Sequence, residues 1–214
     1  MDLFSNEPDL LSLPYEEVVK IASTCKKCQL AKGRTKVVFG NGPVPCDLML
    51  IGEAPGADED LQGLPFVGRA GQLLTQILAS VGIKRPDDIY IANTVKCRPP
   101  ENRAPLPAEQ AACGPYLEAQ IKFVKPKIIL LAGTPAVKAI LKIDSPITGL
   151  RGKWLKLPGT EIAVMPLFHP AYLLRNPSKE KGKPKWLTWQ DVQEVKNALD
   201  YHRKVAELAK ESED

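Results

Sequence analysis

Four short apolar runs rich in β-branched residues, Leu48–Gly52, Ile89–Asn93, Ile128–Ala132 and Ala163–Leu167, limit the folds open to this chain. None alternates polar with apolar, as a strand with one wet face would. Each reads as a strand covered on both sides, the mark of a parallel sheet. Parallel neighbours need crossover connections, and helical patterns lie between and around the runs. Pro14–Ala22 is one such stretch, and Gln72–Val81 places Leu74, Ile77, Leu78 and Val81 on a single face. Pro107–Val124 opens with proline in its first turn, with Gly114-Pro115 as a candidate break. The last helix is expected to open at Thr188, with Asp191 three residues on as in a capping box, and to bury Val192, Val195 and Leu199. Strands alternating with helices predict an α/β fold. The 214 residues suit one large domain over 1–210, followed by a short acidic tail at 211–214.

The loops carry the chemistry. Prolines cluster in 40–45, 99–107 and 166–177, mostly beside predicted strand ends. Ligands of open α/β sheets bind outside the carboxyl ends of the strands. The loops Glu53-Ala54-Pro55-Gly56, Asn93-Thr94 and His169-Pro170 are therefore expected to converge on one site. The net charge of +4 is too small to indicate nucleic acid by itself. Its distribution says more: Lys26, Lys27, Lys32, Arg34 and Lys36 form one basic run, and Arg175, Lys179, Lys181, Lys183 and Lys185 a second. Such runs suit phosphates, although a plain solvated face has the same signature. No stretch has the apolar length of a bilayer span, and Met1–Ser5 lacks the basic start of a signal peptide, so a soluble cytoplasmic protein is expected.

Without an export signal, five cysteines read as a metal or redox site sooner than as disulfides. Cys25 and Cys28 form a Cys-x-x-Cys, Cys97 lies just past the second run, and Cys113 follows with fifteen residues between. Soft thiolates suit zinc or an iron–sulfur cluster, and the spacing leaves both open. Cys46 reads as a spare core or loop thiol.

Longer motifs surround these positions. The first loop continues from Gly52-Glu53-Ala54-Pro55-Gly56-Ala57-Asp58-Glu59-Asp60 into Gly63-Leu64-Pro65-Phe66-Val67-Gly68. The second reads Asn93-Thr94-Val95-Lys96-Cys97-Arg98-Pro99-Pro100, and the fourth His169-Pro170-Ala171-Tyr172-Leu173-Leu174. With the four cysteines, these motifs closely resemble the family 4, iron–sulfur-containing uracil-DNA glycosylases, in the same order from Cys25 to the last helix. The resemblance implies a three-layer α/β/α sandwich around a four-stranded parallel sheet. It also implies a [4Fe–4S] cluster on Cys25, Cys28, Cys97 and Cys113, and a monomer that excises uracil from single- or double-stranded DNA. The cluster reads as structural, because the chemistry requires no electron.

The residue types fit that reading. An enzyme acting on a base inside DNA flips it into a pocket that stacks on its face and reads its edge. Phe66 is the stacking candidate, and Asn93 carries the donor and acceptor that complement uracil O4 and N3–H. His169 is the candidate catalytic donor to uracil O2 as charge develops there. Glu53, Ala54 and Pro55 form the loop at the uracil rim, with Glu53 a candidate for placing water and Glu59 for crowding the C5 edge. A core phenylalanine, a strand-end asparagine and a structural histidine would read alike in sequence. Family 1 enzymes carry a catalytic aspartate where this chain has Ala54, which shifts weight to leaving-group stabilisation. Leu173, Leu174 and Arg175 resemble a wedge that fills the duplex after flipping, and Lys179 begins a phosphate-facing run.

Three other classes fit the sequence less well. A non-catalytic iron–sulfur DNA-binding protein fits Ala54 but not the joint presence of Phe66, Asn93 and His169. Relatives that cross-link to uracil through a histidine in an inserted basic loop are disfavoured, since no histidine lies between Cys97 and Cys113. Gly40-Asn41-Gly42-Pro43-Val44-Pro45 lacks the third glycine of a dinucleotide loop, and Gly152-Lys153-Trp154 lacks the Ser/Thr and upstream glycine of a P-loop.

Overall fold

Each apolar run is a strand in the computed structural model, which describes residues 8–211. β1 (Leu48–Gly52), β2 (Tyr90–Asn93) and β3 (Ile128–Ala132) are followed by β4 (Leu155–Lys156) and β5 (Ala163–Leu167), in the sheet order β2-β1-β3-β5-β4. β2, β1, β3 and β5 pair in parallel, with Met49 opposite Tyr90, Leu48 opposite Ile128 and Ile128 opposite Ala163. The sheet therefore has five strands, one more than the four expected. The addition, β4, is a two-residue antiparallel edge that pairs Leu155 with Val164 and Lys156 with Ala163. So short a strand, half-buried to exposed, carries no continuous apolar run to announce it.

Residues of the parallel strands alternate between two cores. Leu48, Leu50, Ile128, Leu130 and Met165 face Leu74 and Leu78 of α3 (Arg69–Ala79) and Val192, Val195 and Leu199 of α8 (Pro184–Glu211). Met49, Ile51, Ile129, Leu131 and Val164 face the other way. There they meet Leu117 and Val124 of α4 (Pro107–Val124) and Val137 of α5 (Thr134–Leu141). Helices on both faces make the three-layer α/β/α sandwich. A third apolar cluster lies outside the sheet, where α1 (Tyr15–Ser23) packs on the opposite side of α4. Among the described residues, no helix is long and apolar enough to cross a membrane.

Several boundaries differ from the expected ones. α4 runs unbroken through Gly114-Pro115; Pro115 is exposed, as is Ala111 one turn back, so water can serve the carbonyl that proline leaves unpaired. α8 begins a turn before Thr188, with proline as its first residue. The Thr188 hydroxyl donates back to the Pro184 carbonyl (2.8 Å), and Asp191 is held by Arg151, so neither residue forms a capping box. Three short α-helices, α2 (Ala57–Gln62), α6 (Ile147–Leu150) and α7 (Pro170–Arg175), and two 3-10 turns, Gln29–Lys32 and Pro100–Asn102, are the remaining elements among the described residues. Of the expected acidic tail, Glu211 ends α8 and residues 212–214 lie outside the described residues, as do Met1–Ser5.

Candidate active site and metal centre

The carboxyl ends of β1, β2 and β5 open into one cavity of about 710 Å³, where Glu53, Ala54, Pro55, Phe66, Asn93 and His169 all reach the wall. Asn93, the last residue of β2, is 1% exposed, and its Oδ1 has no hydrogen-bond partner among the described residues. A buried amide oxygen without a donor is costly, typically by a few kcal/mol. Here the oxygen lies against Gly52, on a residue that lines the cavity, so a ligand that shifts the Asn93 amide slightly can supply the missing N–H. A Cβ on Gly52 would strike this oxygen and come within 2.7 Å of the Phe66 ring, so the end of β1 must be glycine for the two side chains to meet.

Phe66 lines the cavity beside Asn93. Its ring centroid lies 5.9 Å from that of His169, with the rings inclined at 34°. The residue adopts φ +52°, a conformation that costs a bulky side chain energy and persists only when its surroundings impose it. Arg85 supplies the restraint: Nη1 donates to the Phe66 carbonyl and Nη2 to the Pro65 carbonyl, each at 2.8 Å. Glu59 supplies the rest. Its Oε1 accepts from the Val67 and Gly68 amides (both 2.9 Å), and its Oε2 from the Gly56 amide (3.1 Å). Glu59 lines the cavity as expected, yet both oxygens tie the Glu53–Gly56 loop to the Phe66 loop, which makes it a brace of the pocket.

His169 caps α7. Its Nδ1 accepts the Ala171 amide hydrogen at 3.1 Å. An accepting Nδ1 leaves the proton of the neutral ring on Nε2, which is thereby a donor. Burial, reinforced by the positive charge of Arg175, lowers the imidazole pKa to about 4, so the ring is neutral at physiological pH. Glu53 is half-buried with its pKa raised by desolvation, and its backbone carbonyl accepts the Thr94 hydroxyl at 2.6 Å. The first and second loops are thus joined directly.

The wedge candidates separate. Leu173 is completely buried, so its side chain is core and its expected contact with DNA is corrected. Leu174 is half-buried and Arg175 exposed at the cavity rim. Lys179 is exposed in the segment between α7 and α8.

Cys25, Cys28, Cys97 and Cys113 are all unpaired and line a second, closed space away from the first cavity. Cys25 and Cys28 follow α1, Cys97 follows β2, and Cys113 is buried within α4. Two hydrogen bonds reach their sulfurs: Arg34 Nη1 to Cys97 Sγ at 3.3 Å, and the Lys96 amide to Cys113 Sγ at 3.2 Å. Among the described residues no group of three metal-ligating side chains converges tightly enough for a single ion. Cys46 stands apart, donating to the Leu48 carbonyl at 3.3 Å.

Sequence reasoning missed Arg85, because it acts on Phe66 across nineteen positions of chain. It also missed Lys96 and Gln120, whose burial has no local signature.

Comparison with known proteins places this geometry. The model of the uracil DNA glycosylase superfamily matches residues 39–193. A type-4 uracil-DNA glycosylase of Thermotoga maritima is 43% identical over 191 residues, covering 86% of this chain and 96% of the relative. One from Sulfurisphaera tokodaii is 45% identical over 181 residues (81% and 80% of the two chains), and one from Archaeoglobus fulgidus 40% over 168 residues (76% and 84%). With a superfamily match over most of its length and these identities along it, the chain belongs to the type-4 uracil-DNA glycosylases of the uracil-DNA glycosylase superfamily.

Proposed function

We propose that the protein, acting as a monomer, removes uracil from DNA by hydrolysing the bond between uracil N1 and deoxyribose C1′. The observation that carries this reading is the unpartnered Oδ1 of Asn93, a buried residue that lines the cavity. Uracil N3–H supplies the missing donor, and the amide nitrogen of Asn93 donates to O4. Cytosine presents the reverse pattern, an acceptor at N3 and a donor at C4, so the same amide opposes it. The flipped base stacks on Phe66. His169 Nε2–H then donates to O2.

As the C1′–N1 bond breaks, its electron pair passes to the base, and the negative charge spreads from N1 to O2 and O4. A neutral donor aimed at O2 stabilises that charge more as it grows, the condition for lowering a barrier. The sugar is left electron-poor at C1′. Water adds there and loses its proton to Glu53 or to solvent, and the uracil anion takes up a proton in return, giving an abasic site and free uracil. Ala54 carries no carboxylate to activate that water, so His169 and Asn93 bear most of the catalysis. Leu174 and Arg175 lie at the gap left by the flipped base, and Lys179 lies along the phosphates.

The four cysteines suit a [4Fe–4S] cluster. All four line one space, and four cysteine thiolates are the usual ligand set of such a cluster. Hydrogen bonds to the sulfurs from Arg34 and the Lys96 amide are of the kind that stabilise such clusters. Bound there, the group supplies cross-links between α1, α4 and the β2 end.

Incubation with a uracil-containing oligonucleotide, then alkali, tests the activity. Strand breaks at uracil only after alkali are expected. Tight binding without alkali-labile breaks would leave the protein a non-catalytic binder.

A further inference from the structure

Three residues beyond Asn93, Lys96 is 2% exposed, and no carboxylate pairs with its ammonium among the described residues. Nζ donates to the backbone carbonyl of Asn93 at 2.7 Å and to Gln120 Oε1 on α4, and lies 5.8 Å from the centre of the Phe39 ring. The polar chain continues. Gln120 Nε2 donates to the Phe39 carbonyl (2.8 Å) and to the Tyr90 hydroxyl (2.9 Å), which in turn meets the Tyr15 hydroxyl of α1 at 2.9 Å. The glycine-rich segment after Phe39, which suits no nucleotide loop, has its explanation here. A Cβ on Gly40 would strike the Tyr90 hydroxyl and come within 2.8 Å of Gln120 Nε2.

A buried ammonium is expensive to keep, and nothing in the proposed reaction uses it directly. Its position says what it does. By holding the Asn93 carbonyl, Lys96 restrains the last peptide of β2, and with it the direction in which the Asn93 side chain enters the cavity. Resting on the reading of Asn93 as the group that recognises uracil, we infer that Lys96 is a positioning residue for base selectivity, fixed by Gln120 and the Gly40 cradle. Its backbone amide bonds Cys113 Sγ, so the same residue joins the thiol site to the base-reading strand end. Polar networks of this kind are rigid only while every member is satisfied. Loss of Gln120 or of the space at Gly40 therefore acts on selectivity from a distance.

The test uses oligonucleotides carrying uracil or 4-thiouracil, the latter replacing the O4 acceptor with sulfur. The ratio of kcat/KM for the two reports the Asn93 contact. The metal-loaded wild type, Lys96→Met, Gln120→Met, Gly40→Ala and Asn93→Ala are compared. Metal content, circular dichroism and binding of an uncleavable 2′-fluoro-deoxyuridine strand are measured alongside. Asn93→Ala is expected to collapse the ratio. Lys96→Met is expected to lower it by roughly tenfold, about what misplacing one hydrogen bond costs. Gln120→Met and Gly40→Ala are expected to lower it in the same direction, and the uncleavable uracil strand to bind more weakly. An unchanged ratio in Asn93→Ala overturns the reading of Asn93 and the inference with it. A collapsed ratio there, with folded, metal-loaded Lys96→Met keeping the wild-type value, overturns the inference alone. Should Lys96→Met not fold, Gly40→Ala decides alone, since its Cβ touches neither the cavity nor a thiol.

Discussion

In the proposed reaction His169 donates from its neutral form, which the structure favours because the Ala171 amide occupies Nδ1 and burial opposes a charge on the ring. The consequence reaches beyond catalysis. The folded value of about 4 lies below the ordinary 6.5, so between those limits the unfolded chain binds a proton that the folded chain refuses. His169's contribution to stability is complete above pH 6.5 and is lost as pH falls towards about 4. From pH 7.5 to pH 4.5 that loss amounts to ~2 kcal/mol. Urea titrations at these two pH values should show wild type losing more stability than His169→Asn by this margin. Equal losses would mean the ring is not buried neutral. Over the same interval the variant's kcat is expected to lie ~100-fold or more below wild type, with DNA affinity kept, the size typical of removing one oxyanion donor. Neither the tautomer nor the shift can be read from His169-Pro170; the first is set by the Ala171 amide, the second by burial of the ring and then by Arg175 at the far end of the helix.

At the scale of elements, α7 shows how a short helix divides labour among adjacent residues. His169 caps it, Pro170 occupies its first position, Leu173 enters the core, Leu174 is half-buried, and Arg175 reaches the cavity. The signals for this helix were present, since proline at the first position of a helix is favourable. Six residues give no periodic stripe to confirm them, so the segment reads as a loop until tertiary contacts are known. The same brevity hides β4. By contrast, the four parallel strands are legible because burial on both faces demands unbroken apolar runs, and α4 because eighteen residues outlast one proline. The division within α7 makes two opposite expectations. Leu173→Ala opens a core cavity and should cost about 2–5 kcal/mol in urea unfolding, reducing cleavage of single- and double-stranded substrates alike. Leu174→Ala should change stability by no more than about 0.5 kcal/mol. It should slow cleavage of duplex more than of single strands, because only a duplex has a gap to fill. Equal slowing of both substrates by Leu174→Ala would remove it from the wedge.

Across the whole molecule, the active site and the thiol site have different supports. The pocket stands on the sheet: Gly52, Asn93 and Leu167 end strands paired to one another or through β3. The thiol site stands on the third apolar cluster, where Leu10, Val18, Ala22 and Leu30 come from chain before β1 and have no strand to hold them. Cysteine type and the Cys-x-x-Cys spacing made the four positions legible as candidate metal ligands, and the structure brings them to one space. The superfamily match begins at residue 39, past Cys25 and Cys28. Metal binding that joins separate segments is folding energy for those segments. Stripping the metal with acid and chelator should therefore act locally. Circular dichroism of the sheet should change little, while trypsin should cut first at the exposed Lys26, Lys27, Lys32 and Lys36, leaving a resistant fragment that begins near β1. The loaded protein should be brown, with broad absorbance near ~400 nm as cysteine-ligated iron–sulfur clusters show, and should resist those cuts. Zinc without iron in the loaded protein would replace the cluster with a simpler cross-link. Cleavage spread evenly over the stripped chain would show that the thiol site supports the sheet as well. Because Lys96 reaches from Cys113 to Asn93, partial stripping should weaken uracil recognition before the sheet fails, and titrating activity against metal content measures that order directly.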